Sequence, residues 1–131
     1  MTNTKDRTLG TPTVPPLSEA AYLVLASLSE GPTHGYEILG RADKLSAGRV
    51  HLAVATLYGT LDRLVGRGQI ELVREEVVDG RARRTYAITE DGNALLRAET
   101  DRMAQLVSSV TSSLGRRSGS SPNRRAAVVA G

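Results

Sequence analysis

The chain has 131 residues, enough for one small domain with a modest hydrophobic core. It has no cysteine, which excludes disulfides and cysteine-ligated metals, and its only aromatic side chains are four tyrosines. The polar N-terminus lacks the apolar block of a signal peptide, and the longest apolar run is about half the length of a membrane span. We therefore expect a cytoplasmic protein with no membrane partner.

Positive charge is concentrated in two parts of the chain, although the formal net charge is only +3. Residues 41–86 carry nine basic and six acidic side chains, and the tail from Gly115 carries four arginines and no acid. Basic regions attract nucleic acid, but a mild asymmetry of this kind also occurs in proteins that bind none.

The N-terminal part of the chain is predicted to be an arm followed by a buried helix. Residues 1–16 are polar, contain three prolines and show no periodicity, which is typical of disorder. A first helix is predicted over residues 19–28, with Ser18 as its N-cap. This helix is apolar on nearly all sides, which predicts burial in the core and, through Tyr22 and Leu25, against a second subunit.

Two further helices are predicted over residues 33–45 and 52–64. Apolar residues at helical spacing give each of them an inward face. The other face of the third helix carries small or hydrogen-bonding side chains, which suits a helix pressed into the major groove of DNA. These residues are Thr56, Gly59, Thr60 and Arg63.

A β-hairpin is predicted next, because two runs of alternating side chains, QIELVRE and RRTYAIT, flank Asp79-Gly80. Its tip is rich in arginine, namely Arg81, Arg83 and Arg84. A helix followed by such a hairpin is the outline of a winged helix-turn-helix, in which the helix enters the major groove and the hairpin lies along the backbone. The predicted fold is α+β, mainly α, with this domain at residues 17–88.

A C-terminal dimerisation helix is predicted over residues 89–114. Its apolar stripe includes Met103, Leu106, Val107 and Val110, and the small domain has nothing to cover the whole stripe, so a helix from a second copy is the simplest cover. Residues 115–131 are predicted to be a disordered basic tail. Its arginines would either solubilise the end of the chain or add non-specific affinity for DNA.

For several side chains, the sequence pattern alone allows two interpretations. Tyr58 lies beside the apolar stripe of the third helix, so a core role and a DNA contact are both open. The hairpin arginines are either an ordinary charged tip or backbone contacts, and we favour the contacts. His34 and His51 lie on different elements without ligand spacing, so no metal or other cofactor is predicted. No phosphate loop, nucleophile–base pair or carboxylate pair occurs, so no enzyme is predicted.

Three segments resemble motifs of the PadR-like family of transcriptional regulators. GPTHGYEIL (31–39) is similar to the segment that opens the family's second helix. TLYGTLDRLVGRGQIE (56–71) resembles its recognition helix, and RRTYAITEDG (83–92) resembles the wing strand that enters the C-terminal helix. The resemblance covers residues 17–114. One departure is that Ala-Val-Ala (53–55) replaces the usual Ser-Pro-Gly, so a serine that would cap the helix or touch a phosphate is missing.

The resemblance implies a homodimeric repressor of a pseudo-palindromic operator in double-stranded DNA. It also implies that the hydroxyl of Tyr58 is directed at a DNA phosphate. Family members are often released by a small molecule near the dimer interface, and the apolar first helix would either line a pocket for a small hydrophobic effector or form a filled core. The alternative function is a winged-helix protein-interaction module that does not bind DNA.

Overall fold

The computed structural model describes residues 17–120, with side chains as far as residue 116. The predicted arm at residues 1–16 and the end of the predicted tail at residues 121–131 lie outside the described residues. The elements confirm the predicted mainly helical α+β class. In chain order they are α1 (Glu19–Ser29), β1 (Thr33–His34), α2 (Gly35–Leu45), α3 (Val54–Gly66), β2 (Ile70–Val78), β3 (Arg81–Ile88) and α4 (Glu90–Ser120).

The core of the winged domain (residues 17–93) is aliphatic, with α1 in contact with α2, α3 and β3. Because α1 has neighbours on several sides, most of its apolar residues are buried, and Val24 and Leu25 have no exposed surface. The prediction that Leu25 faces a second subunit is therefore wrong. Tyr22 is half-buried.

Both ends of α1 are closed by side chains. The Ser18 hydroxyl accepts a hydrogen bond from the Ala21 amide at 3.1 Å, which confirms the predicted N-cap. At the other end, Arg41 of α2 donates to the carbonyl oxygens of Ser27 and Gly31, each at 2.8 Å. These bonds reach one carbonyl in the last turn of α1 and one just beyond it, and they hold α2 against α1.

The predicted start of the second helix at Thr33 is wrong by two residues. Thr33 and His34 form β1, which pairs antiparallel with β3 at Tyr86 and Thr85, and the sheet order is β1-β3-β2. The local helical pattern is overridden because this backbone finds partners at the sheet edge. The helix α2 therefore begins at Gly35, within the GPTHGYEIL segment (31–39).

The predicted hairpin is confirmed. Asp79 and Gly80 both have positive φ, at 54° and 76°, as the tight turn of a two-residue hairpin requires. A bulge between Leu72 and Arg74 shifts the register, so that Arg84 lies opposite Glu75.

The helix α4 begins beside the turn that follows α3 and runs to Ser120, beyond its predicted end at residue 114. Gly115 does not end it, because a glycine inside a helix costs only about 1 kcal/mol and an arginine such as Arg116 is favourable near a helix C-terminus. The chain divides into one compact unit up to Asn93 and a second from Ala94. No helix within residues 17–120 has the length and hydropathy needed to cross a membrane.

Candidate nucleic-acid interface

The outer face of α3 is formed by side chains that the core does not use. Thr56, Asp62 and Arg63 are exposed, and Gly59 is half-buried. A Cβ at Gly59 would meet only the Arg63 Nη1 atom, at 3.6 Å, which is ordinary contact. The protein's own packing therefore does not require glycine there. Asp62 was missed by sequence reasoning, although it lies one turn beyond Gly59 on the same side.

Thr60 does not belong to this face, and the prediction that it points outward is wrong. It is 1% exposed and lies beside the buried stripe of Leu57, Leu61 and Leu64. By its spacing, a threonine at the edge of an apolar helical stripe could belong to the inner or the outer face. In this protein Thr60 is part of the core. Its hydroxyl accepts a hydrogen bond from Arg63 Nη2 at 3.3 Å. The buried Thr60 thereby restrains the side chain of Arg63, which lies on the exposed face of α3.

Tyr58 lies at the edge of the α3 face and is 46% exposed, so it is not a core tyrosine. It lines a groove of about 770 Å³ between the start of α2 and the hairpin. We call this the wing groove. Its lining residues are His34, Gly35, Tyr36, Tyr58, Val78, Asp79, Arg81, Ala82, Arg83 and Arg84.

Sequence reasoning missed the contribution of α2 to the wing groove. Tyr36, in the first turn of α2, is 82% exposed, and His34 precedes the helix as its N-cap residue without a side-chain capping bond. The only signal in the sequence was an aromatic residue beside a helix start, which does not by itself place that residue opposite a hairpin 45 residues later in the chain.

The three hairpin arginines are not equivalent. Arg84 donates to Glu75 Oε2 at 3.0 Å, and the hydrogen bond and charge of Glu75 raise the pKa of Arg84. By contrast, no acidic side chain within residues 17–116 lies at ion-pairing distance from Arg81 or Arg83, both of which are exposed. Arg81 and Arg83 are therefore the hairpin cations with no internal partner in the described chain.

Burial of Tyr86, the tyrosine of β3, raises the pKa of its hydroxyl, and a hydrogen bond from Arg84 partly offsets this rise. The tyrosine is 3% exposed, so Arg84 is held between a core residue and Glu75. This explains why one arginine of the hairpin tip is fixed to the domain.

The second unit presents an apolar face of its own. Within α4, Leu106, Val107, Val110 and Leu114 are exposed and Met103 is half-buried, all at helical spacing on one side. Exposed apolar side chains in a continuous stripe are uncommon on a soluble monomer and mark an interaction face. In the described part of the chain, no cluster of three or more potential metal ligands occurs.

Comparison with known proteins identifies the family. The model of the transcriptional regulator PadR-like family matches residues 24–98, more than half of the chain. The chain belongs to the PadR-like family. This family is one of transcriptional regulators rather than enzymes.

Relatives of this PadR-like protein share sequence or fold over different lengths. An uncharacterized 37.1 kDa protein in transposon TN4556 of Streptomyces fradiae is 38% identical over 89 residues, which is 68% of this chain and 24% of that protein. The chain therefore spans about a quarter of that relative.

Two solved structures show the same fold. A PadR family transcription regulator from Clostridium difficile R20291 superposes with a TM-score of 0.61 at 20% identity, covering 74% of this chain and 99% of that one. Bacillus subtilis PadR in complex with operator DNA gives a TM-score of 0.53 at 22% identity, covering 60% of this chain and 45% of that one.

Proposed function

We propose that this PadR-like protein binds double-stranded DNA as a homodimer and represses transcription from a pseudo-palindromic operator. The observation that carries the proposal is the wing groove, which brings Tyr58, Arg81 and Arg83 together beside the exposed face of α3. The complex of Bacillus subtilis PadR with operator DNA, which has a similar fold, supports this assignment. A protein that acts on DNA also agrees with the expected cytoplasmic location.

The face of α3 would read bases from the major groove. Thr56 is short and reaches only what the helix touches closely, such as a thymine methyl group, whereas Arg63 is long enough for the acceptors of guanine. Gly59 lets the backbone approach the DNA. The exposed carboxylate of Asp62 is able to accept a hydrogen bond from the amino group of cytosine.

The wing groove would hold the sugar-phosphate backbone. Arg81 and Arg83 supply cations without internal partners, and the hydroxyl of Tyr58 supplies a neutral donor. Arg84 contributes less because Glu75 already neutralises it. Contacts of this kind position a protein on the duplex without reading its sequence.

The apolar stripe of α4 (Met103, Leu106, Val107, Val110 and Leu114) would join two copies. Dimerisation places two reading faces on one duplex, with half-sites about one helical turn apart, which is why the operator is expected to be pseudo-palindromic. A small hydrophobic effector at the dimer interface stays a prediction from the family resemblance. The wing groove itself carries three arginines beside a smaller apolar set (Gly35, Val78 and Ala82), and this positive charge suits a phosphate backbone better than such an effector.

Binding to a labelled duplex of random sequence tests the function, measured by fluorescence anisotropy at salt concentrations between about 50 and 200 mM. A regulator that neutralises phosphates should lose affinity steeply over this range, because bound counterions are released. Selection of bound sequences from random DNA would then give the operator. If no salt-sensitive binding is found, the domain is a protein-interaction module instead.

A further inference from the structure

In the wing groove, the side chain of Tyr58 lies against Gly35, where a larger residue would place its Cβ. Gly35 is the first residue of α2 and is buried, and a Cβ at this position would lie 3.0 Å from the Tyr58 hydroxyl oxygen and 3.4 Å from Tyr58 Cζ. A methyl group and a hydroxyl oxygen do not approach this closely without a shift of one of them. The hydroxyl of Tyr58 therefore occupies the space that the missing side chain leaves.

The backbone gives no other reason for glycine at this position. Gly35 is not among the glycines with positive φ, so its backbone conformation is open to any residue. Gly40 in the same helix provides the comparison, because it is exposed and a Cβ there would meet no described atom within 4 Å. A Cβ at Gly35 would also lie 3.4 Å from Leu57 Cδ2, but its shortest contact is with the Tyr58 hydroxyl.

The Tyr58 hydroxyl is available as a donor in this position. No hydrogen bond from it to another group is seen within residues 17–116. The walls of the groove carry Arg81 and Arg83. A small displacement of the ring, which is half exposed, would move the donor relative to these two cations.

We propose that Gly35 is a positioning residue for DNA binding. By leaving its Cβ space empty, it lets Tyr58 direct its hydroxyl to the place in the wing groove where a backbone phosphate is bound. This inference rests on the proposed function. It assigns to Gly35 a role in binding rather than in the stability of the domain, and that difference makes it testable.

The test is a double-mutant cycle with Gly35→Ala, Tyr58→Phe and the variant that carries both, with Gly40→Ala as the matched control. Each full-length protein is titrated onto a random-sequence duplex at several salt concentrations, and its melting curve is recorded. Tyr58→Phe removes a hydrogen bond to a charged group, so its affinity should fall roughly tenfold per protomer. Gly35→Ala should cause a smaller loss in the same direction, because the added methyl group moves the same hydroxyl by a few tenths of an ångström.

The decisive comparison is made in the Tyr58→Phe background. There the hydroxyl is absent, so adding Gly35→Ala should cause little further loss. The salt slope should stay that of wild type in all four proteins, because no cation is removed. Gly40→Ala should bind as wild type, and Gly35→Ala should melt no lower than wild type.

Two results would overturn the inference while leaving the proposed function intact. One is a Gly35→Ala protein that binds DNA as tightly as wild type. The other is a loss that persists undiminished in the Tyr58→Phe background or that accompanies a lower melting temperature, since either would mean that Gly35 serves the packing of α2 on Leu57. If the wild type itself shows no salt-sensitive DNA binding, the proposed function fails, and the inference fails with it.

Discussion

Gly92 lies directly against the backbone carbonyl of Gln69, which occupies the space that a Cβ at position 92 would need. The contact is reinforced by Thr89, whose hydroxyl donates to the Gly68 carbonyl at 2.7 Å and accepts from the Gly92 amide at 3.1 Å. The first turn of α4 is thereby fixed to the turn that ends α3. The same residues thus cap α4 and connect its first turn to the end of the proposed reading helix.

We expect Gly92→Ala to destabilise the winged domain by about 1–3 kcal/mol, because an inserted methyl group meets a backbone atom that no side-chain rotation can move. Urea unfolding followed by circular dichroism measures the loss. Gly115→Ala in the same helix is the matched control, since a Cβ there meets no described atom within 4 Å and alanine favours the helix. Equal stability of the Gly92→Ala protein and wild type would mean that this close contact is not required.

The second expectation concerns acid. Thr33 donates a hydrogen bond to Glu37 at 2.6 Å, and this bond, together with the charge of Arg41, lowers the pKa of the Glu37 carboxyl. A lowered folded-state pKa contributes stability that is fully present above the usual pKa of glutamate and is lost as the pH falls through the lowered value. Unfolding curves of wild type and Glu37→Gln, recorded from neutral pH into this acidic range, should therefore converge as the pH falls. A gap that does not depend on pH would contradict the assignment.

The apolar stripe of α4 should control the oligomeric state. Changing Leu106 and Val110 to lysine should give monomers, because a charge buried in a dimer interface without a partner costs several kcal/mol. Changing Gln105 and Ser112 to lysine adds the same charge on the opposite side of the helix and should leave the dimer intact. Sedimentation at micromolar concentration distinguishes these outcomes, and a monomeric wild type would remove the basis for a two-fold operator.

Much of the fold could be predicted because local signals agree with the tertiary structure. The Ser18 cap, the aliphatic stripe of α3 and the Asp79-Gly80 turn each specify their element through nearby residues alone. The failures occur where distant parts of the chain decide. The residues near Thr33 in sequence predict a helix there, but backbone pairing with Tyr86 places Thr33 in a strand.

The candidate site was predicted less completely for the same reason. Helical periodicity does not decide which face a residue at the edge of an apolar stripe belongs to. For Thr60, the packing of the core decides that it lies on the inner face. Likewise the spacing of the arginines says nothing about Glu75, whose position opposite Arg84 depends on a bulge in the hairpin. Tyr36 and Gly35 join the site only because α2 begins beside the hairpin, which is a tertiary fact.

The hairpin arginines should differ in their effect on DNA binding. Arg83→Ala should weaken binding to all duplexes alike and reduce the salt slope by about one unit per protomer. Arg84→Ala should change the slope less, because Glu75 already balances that charge. The matched variant Glu75→Gln releases Arg84 and should tighten binding. Anisotropy titrations across a salt series give all three slopes, and equal effects of the two arginine variants would show that the ion pair breaks on DNA.

The last prediction concerns the face of α3. Gly59→Leu should leave the fold intact, because a Cβ there meets only the flexible end of Arg63 at 3.6 Å. A leucine side chain would nevertheless hold the helix away from the floor of the major groove. Specific binding should then fall towards the non-specific level, while binding to random DNA, which depends on phosphate contacts, changes little. The measurement is a pair of binding curves on selected and random duplexes, with a melting curve and sedimentation as controls. A folded, dimeric Gly59→Leu protein that binds its selected duplex as tightly as wild type would show that Thr56, Gly59 and Arg63 do not read the operator.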